Sequence, residues 1–287
     1  MMDDSSCEDD KKILADHFSK TLAPSWYTSS HSLARIMSSV FRLLHGTVEA
    51  KLLGLDYLCM ILEGVPPDRL QKAGYLDVAF DSIMRLLLMK ELRLLSPSYV
   101  AVRNLLLVID SLDHESSTVP TKFGQLDKTD TVLVESLRNM ELFTERSIRS
   151  GLLDETILLM DQIGLRCGKY LPRFLDLMDS LISMQILWQY SLALKLLRAV
   201  FQNCWPVCAN HINRITLQVM KILLDKLVAE GTAIYEETCR LLQLCITVGN
   251  PEEIKAFAGN VLSRSHFSPC DIDKFGRAVH CSSDVLE

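Results

Sequence analysis

The residue types best suited to chemistry gather around Trp205. Cys204, Cys208 and His211 follow a C-x3-C-x2-H spacing. Thiolate and imidazole are the ligands zinc prefers, and a structural site normally takes four of them. Cys239 or Cys245 could supply the fourth. The paired C-x2-C knuckle of most such sites is missing, and one helix is expected to end at Cys204 before another carries Cys208 and His211. Packed thiols are the plainer reading. Cys270, His280 and Cys281 repeat the same residue types near the C-terminus, again with no fourth ligand in view. Cys–His nucleophile pairs can be drawn in many ways, and the spacing singles out none.

Ser111, Asp113 and His114 are the residue types of a hydrolase triad. Residues this close in sequence rarely converge on one reacting atom, and no G-x-S-x-G elbow accompanies them. They read as the polar end of a helix. No P-loop, G-x-G-x-x-G or H-E-x-x-H motif is present. The acidic pairs Asp176/Asp179 and Glu236/Glu237 read as solvated charge. Gly164-x3-Gly168 reads as close helix packing or a helix end. Ser5-x-x-Glu8 and Ser6-x-x-Asp9 fit either a capping box or an acid-directed phosphorylation site. Trp26, Trp188 and Trp205 read as large core residues at helix ends, with partner anchors as the other reading. No catalytic residue, cofactor-binding residue or metal ligand is assigned, and no cofactor is expected.

The elements that must position these residues are helical. The 287 residues are 48% hydrophobic, and 49 are Leu against 12 Gly and 9 Pro. Leu-rich composition with few β-branched runs argues against sandwiches and barrels. The net charge is −6, and the longest basic cluster is the pair Lys11–Lys12. Phosphate contacts dominate nucleic-acid affinity, so no nucleic-acid partner is expected. No uninterrupted apolar run reaches the ~18 residues of a membrane span, so no membrane partner is expected. Residues 1–10 carry five acids and lack the basic start and apolar core of a secretory signal. Nine cysteines, an odd number, read as reduced thiols packed as small hydrophobes. The expected location is the cytoplasm and the nucleus.

Apolar residues at spacings of three and four predict helices over 31–45, 47–63, 75–91, 97–112, 131–150, 153–167, 169–184 and 186–204. Further helices are predicted from Pro206 or Asn210 to 229, over 234–248 and over 250–264. A short turn is expected over 68–73, closed by Gly74. Pro97 is read as the first helical position. The inward face of 31–45 is assigned to Leu33, Ile36, Met37, Val40, Phe41 and Leu44. That of 47–63 is assigned to Val48, Leu52, Leu55, Cys59 and Leu62, and that of 75–91 to Val78, Ile83, Leu86 and Leu87.

The chain therefore divides into an acidic leader and short helix (1–22), N-terminal helical repeats (23–112), a polar loop or linker (113–130), C-terminal helical repeats (131–264) and a polar tail (265–287). Alternate helix starts at 31 and 75, and at 207 and 251, lie near the ~40–47-residue HEAT period. The predicted fold is all-α, an irregular HEAT-like α-solenoid of stacked helical pairs. A closed helical bundle is the alternative.

Residues 51–91 read KLLGLDYLCMILEGVPPDRLQKAGYLDVAFDSIMRLLLMKE. A helix with an embedded glycine, Gly54, precedes a short turn and then a helix near the pair Asp77-Val78. This order resembles the central region of the second Tel-two-interacting protein family, a subunit of the TTT co-chaperone complex. The next helix, with Tyr99 and Leu105–Leu107, also looks like that region, and Ile186–Trp188 with Leu192–Leu197 resembles a later Trp-bearing helix. The family's members are usually longer. The resemblance implies a non-enzymatic HEAT-like scaffold. Its implied partners are the Tel-two protein and the first Tel-two-interacting protein. It implies maturation of phosphatidylinositol-3-kinase-related kinases with the heat-shock chaperone machinery, in support of DNA-damage and nutrient signalling. An unrelated helical-repeat adaptor is the alternative, and a helical enzyme with a metal or thiol site a third.

Overall fold

A computed structural model describes residues 11–12, 30–116, 127–264 and 269–280. Among them every regular element is helical, so the protein is all-α. The chain forms two compact units, 1–139 and 140–287.

Unit 1 is built from α1 (Ser30–Leu44), α2 (Val48–Gly64), α3 (Pro67–Lys72), α4 (Tyr75–Met89), α5 (Leu92–Ser116) and the greater part of α6 (Lys128–Leu142). Helix α1 buries Leu33, Ile36, Met37, Val40, Leu43 and Leu44, close to the expected stripe, with Phe41 at its edge. Thr47 caps α2, its hydroxyl accepting from the Ala50 amide at 3.3 Å. Gly74, at φ +71°, makes the left-handed turn between α3 and α4 that L side chains avoid. Helix α5 packs against α2, α3 and α4, and α1 packs against α2 and α4.

Several expectations are corrected in this unit. The buried face of α2 is Ala50, Lys51, Gly54, Leu55, Leu58, Ile61 and Leu62, so Val48, Leu52 and Cys59 stand at its margin. Val78, expected inward, is 47% exposed, because Leu76, Ala79, Phe80, Ile83 and Leu87 take the inward arc of α4. Pro97 lies inside α5, which begins at Leu92. Pro97 offers the Arg93 carbonyl no N–H, and its ring crowds that carbonyl. The expected polar loop 113–130 is helical at 113–116 and 128–130, and 117–126 fall outside the described residues. Helix α5 is also, over Leu92–Leu112, long and apolar enough to cross a membrane. Apolar residues interleaved with a few polar ones give this property without an uninterrupted run. Half of that window is buried inside the protein, as befits a helix packed on several sides.

Unit 2 contains the end of α6, then α7 (Arg146–Ile163), a 3₁₀ segment (Gly164–Tyr170), α8 (Leu171–Ser183), α9 (Leu187–Cys208), a second 3₁₀ turn (Ala209–His211), α10 (Ile212–Leu223), α11 (Ala233–Val248), α12 (Pro251–Arg264) and α13 (Pro269–His280). Helix α9 is the centre, touching α7, α8, α10, α11 and both 3₁₀ turns. It buries Tyr190, Leu192, Leu196, Leu197, Val200, Phe201, Cys204 and Cys208 among others.

The helix expected over 131–150 is two helices. They meet at Phe143-Thr144-Glu145, where neither Gly nor Pro marks the break. Arg149, 3% exposed, reaches back from α7 and donates through Nε to the Met140 and Phe143 carbonyls at 3.1 and 2.9 Å. Those carbonyls are among the last of α6 and the chain just beyond it, which lack helical donors. Gly151, where the predicted helix over 131–150 gives way to that over 153–167, sits within α7. Pro206, read as a helix start, lies inside α9, and α10 ends at Leu223, short of 229. The tail beyond 264, read as polar, includes α13. It packs on α11, with Lys274 donating to the Val228 carbonyl at 2.6 Å and Arg277 paired with Glu230.

Candidate functional site

The thiol group is built by α9 and the first 3₁₀ segment. Cys204 and Cys208 lie one turn apart on the buried side of α9. The close partner of Cys204 is Cys167, whose sulfur lies 3.0 Å away. All three are fully buried, and all are free thiols. The approach is permitted by Gly168: a Cβ there would meet Val207 Cγ2 at 2.9 Å. That settles the small-x3-small spacing as close packing at its second glycine, while Gly164, at φ +60°, ends α7.

Electrostatics separates these thiols. The hydrogen bond with Cys204 holds the Cys167 thiol below its ordinary value, and the same bond with burial drives Cys204 up. Burial pushes Cys208 and Cys245 up to about 12. Cys245 is on α11. His211 stands on the second 3₁₀ turn, half-buried. Among the described residues no three His, Cys, Asp or Glu side chains converge as metal ligands would. The sequence set Cys204, Cys208 and His211 is thus not brought to one point, and Cys167, which completes the thiol pair, stands outside any short motif. The side chains of Cys270, His280 and Cys281 lie outside the described residues.

The other candidate groups resolve differently. Ser111 donates to the Val108 carbonyl at 2.7 Å, within its own helix; the side chains of Asp113 and His114 are outside the described residues. Asp176 and Asp179, read as solvated, clasp Arg214 of α10 at 2.6 and 2.8 Å, with Lys221 3.4 Å from Asp179. Glu237 pairs with Arg198 and Arg240 at 3.4 and 3.2 Å, whereas Glu236 is exposed. Trp188 is half-buried, but Trp205, read as core, is 59% exposed. Ser5, Ser6 and Trp26 lie outside the described residues.

Among the described residues, one cleft in each unit carries candidate binding groups. In unit 1, Lys51 is almost completely buried, and its ammonium contacts the Met89 sulfur at 3.6 Å. They border a cleft of about 300 Å³ with His45, Ser82 and Arg85. In unit 2, a larger open cleft of about 680 Å³ lies beside the α8–α9 and α10–α11 connections. Ile182, Leu217, Met220 and Leu224 make its apolar wall, with Tyr190, Asp179 and Asp225 at the polar margin. Tyr190 donates to Asp225 at 2.6 Å, and burial together with that carboxylate drives the phenol pKa up. Met184, Ile186, Leu187 and Leu227, on those same connections, are 38–54% exposed. Gln185 between them has φ +52°, a left-handed backbone that a side chain seldom adopts. These residues present apolar side chains beside the cleft. No protein-family model, curated protein or solved structure matches the chain.

Proposed function

We propose that the chain is a non-catalytic scaffold, an irregular HEAT-like α-solenoid acting as a subunit of the TTT co-chaperone complex. In this reading it supports maturation and stability of phosphatidylinositol-3-kinase-related kinases in the cytoplasm and nucleus. Its direct partners are the Tel-two protein and the first Tel-two-interacting protein. The kinases and the heat-shock chaperone machinery are reached indirectly.

The family assignment rests on the resemblance of residues 51–91 and of the helices that follow. The scaffold reading draws on successive helices packing as pairs: α1 with α2, α4 with α5, α8 with α9 and α10 with α11. The observation that carries a binding role is the apolar cleft of unit 2 with Met184, Leu187 and Leu227 exposed beside it. Clustered exposed apolar residues at a concave site are what a partner's anchor side chains fill.

The test is a pull-down of the tagged full chain from cells, read by mass spectrometry. Recovery of the two partner subunits in near-equal amounts is expected, with loss of both when Leu227→Asp and Leu187→Asp are combined. A different stable partner in their place would leave a helical adaptor of another pathway.

A further inference from the structure

We propose that Cys167 and Cys204 form a dithiol modification site that a hydroperoxide converts to a disulfide. Two observations carry it. The sulfurs already lie 3.0 Å apart, on elements 37 residues apart in sequence. A disulfide needs about 2.05 Å, so the atoms must close about 1 Å. In addition, Cys167, fully buried, is carried by a 3₁₀ segment, two residues from Leu165, which is 62% exposed. Such segments have poorer hydrogen bonds than α-helix and open at lower cost.

The asymmetry within the pair sets the order of events. The two thiols share one hydrogen bond, which holds the Cys167 thiol below its ordinary value while Cys204 is driven up, so Cys167 is the readier nucleophile of the pair. Cys208 and Cys245 are held protonated by burial, so the first attack, which needs a thiolate, falls to Cys167 rather than to them; the second falls to Cys204 because its sulfur already lies 3.0 Å from that of Cys167. Cys167 thiolate attacks the hydroperoxide; its S–O bond forms, the O–O bond breaks, and an alcohol, or water from hydrogen peroxide, departs with a proton. Cys167 is then a sulfenic acid. Cys204 sulfur attacks the Cys167 sulfur; the S–S bond forms, the S–O bond breaks, and water leaves with the Cys204 proton. The two thiols lose two electrons, and the hydroperoxide gains them. The product ties the 3₁₀ segment covalently to α9. This inference does not depend on the co-chaperone reading.

The experiment treats the folded full chain with hydrogen peroxide and maps thiols and cross-links by mass spectrometry without reductant. The expected product is a Cys167–Cys204 cross-link, formed about tenfold faster than loss of the Cys59 thiol and reversed by dithiothreitol. Cys204→Ser is expected to stop at a Cys167 sulfenic acid that dimedone traps, and Cys208→Ser to cross-link at the wild-type rate. Oxidation of Cys59 and Cys239 first, with Cys167 and Cys204 still free, would overturn the proposal. So would a cross-link that Cys208→Ser abolishes. If Cys204→Ser does not fold, the wild-type cross-link and the Cys208→Ser rate decide between these results.

Discussion

At the residue scale, the groups that matter are those whose partner is distant in sequence. Arg214 is held by Asp176 and Asp179, residues that read in isolation as solvated acids. Burial works against ionised Asp179, yet hydrogen bonds from Arg214 and Gln218 hold its carboxyl below the ordinary value. A depressed folded-state pKa contributes stability that is complete above the unfolded value, about 3.9. That contribution is lost as pH falls through the folded value. Arg214→Met is therefore expected to lower the melting temperature at neutral pH. The difference from wild type should shrink below about pH 4. Thermal melts of both proteins from neutral to acidic pH check this; a difference that stays constant would exclude the ion pair as its source. Half-exposure of these side chains keeps the effect small.

At the element scale, glycine shows how one residue type carries opposite meanings. Gly54 lies where α2 meets α1. A Cβ there would meet Leu44 Cδ2 at 3.0 Å, Leu43 Cβ at 3.2 Å and the Leu44 amide nitrogen at 3.2 Å. Ala gains about 1 kcal/mol of helix propensity over Gly, but overpacking a tight crossing costs about 1–3 kcal/mol. Backbone cannot swing aside, so Gly54→Ala is expected to destabilise by about 1 kcal/mol net. Gly151 lies within α7 with no atom within 4 Å of its added Cβ. Only propensity acts there, and Gly151→Ala is expected to stabilise by up to about 1 kcal/mol. Denaturant titrations of the two variants give the signs directly. The helix ends divide in the same way. Thr47 and Gly249 mark theirs by residue type. The break between α6 and α7 is made by Arg149 folding back on the Met140 and Phe143 carbonyls. No local signal announces that break, because the acceptors are backbone atoms presented by the chain's own turn.

At the scale of the whole molecule, composition and periodicity point to an all-helical protein, and the described residues are helical throughout their regular elements. Helix α5 shows why hydropathy alone misleads. Its window Leu92–Leu112 passes the length and composition test for a membrane span, but half of it is buried among its neighbours. The full chain is accordingly expected to remain in the aqueous fraction of a vesicle flotation assay. Co-flotation with neutral lipid would show that α5 leaves its packing. What the sequence by itself determined is the existence of most helices, the α1 stripe, the Thr47 start and the Gly249 stop. These depend on spacing and on capping chemistry within a few residues. Only the tertiary structure decided the rotation of α2, the outward turn of Val78, the exposure of Trp205 and the pairing of Cys167 with Cys204. Each depends on which neighbouring helix occupies the adjacent space. A cysteine is equally apolar whether its neighbour 37 positions away is a leucine or a second thiol, so its spacing cannot disclose that contact.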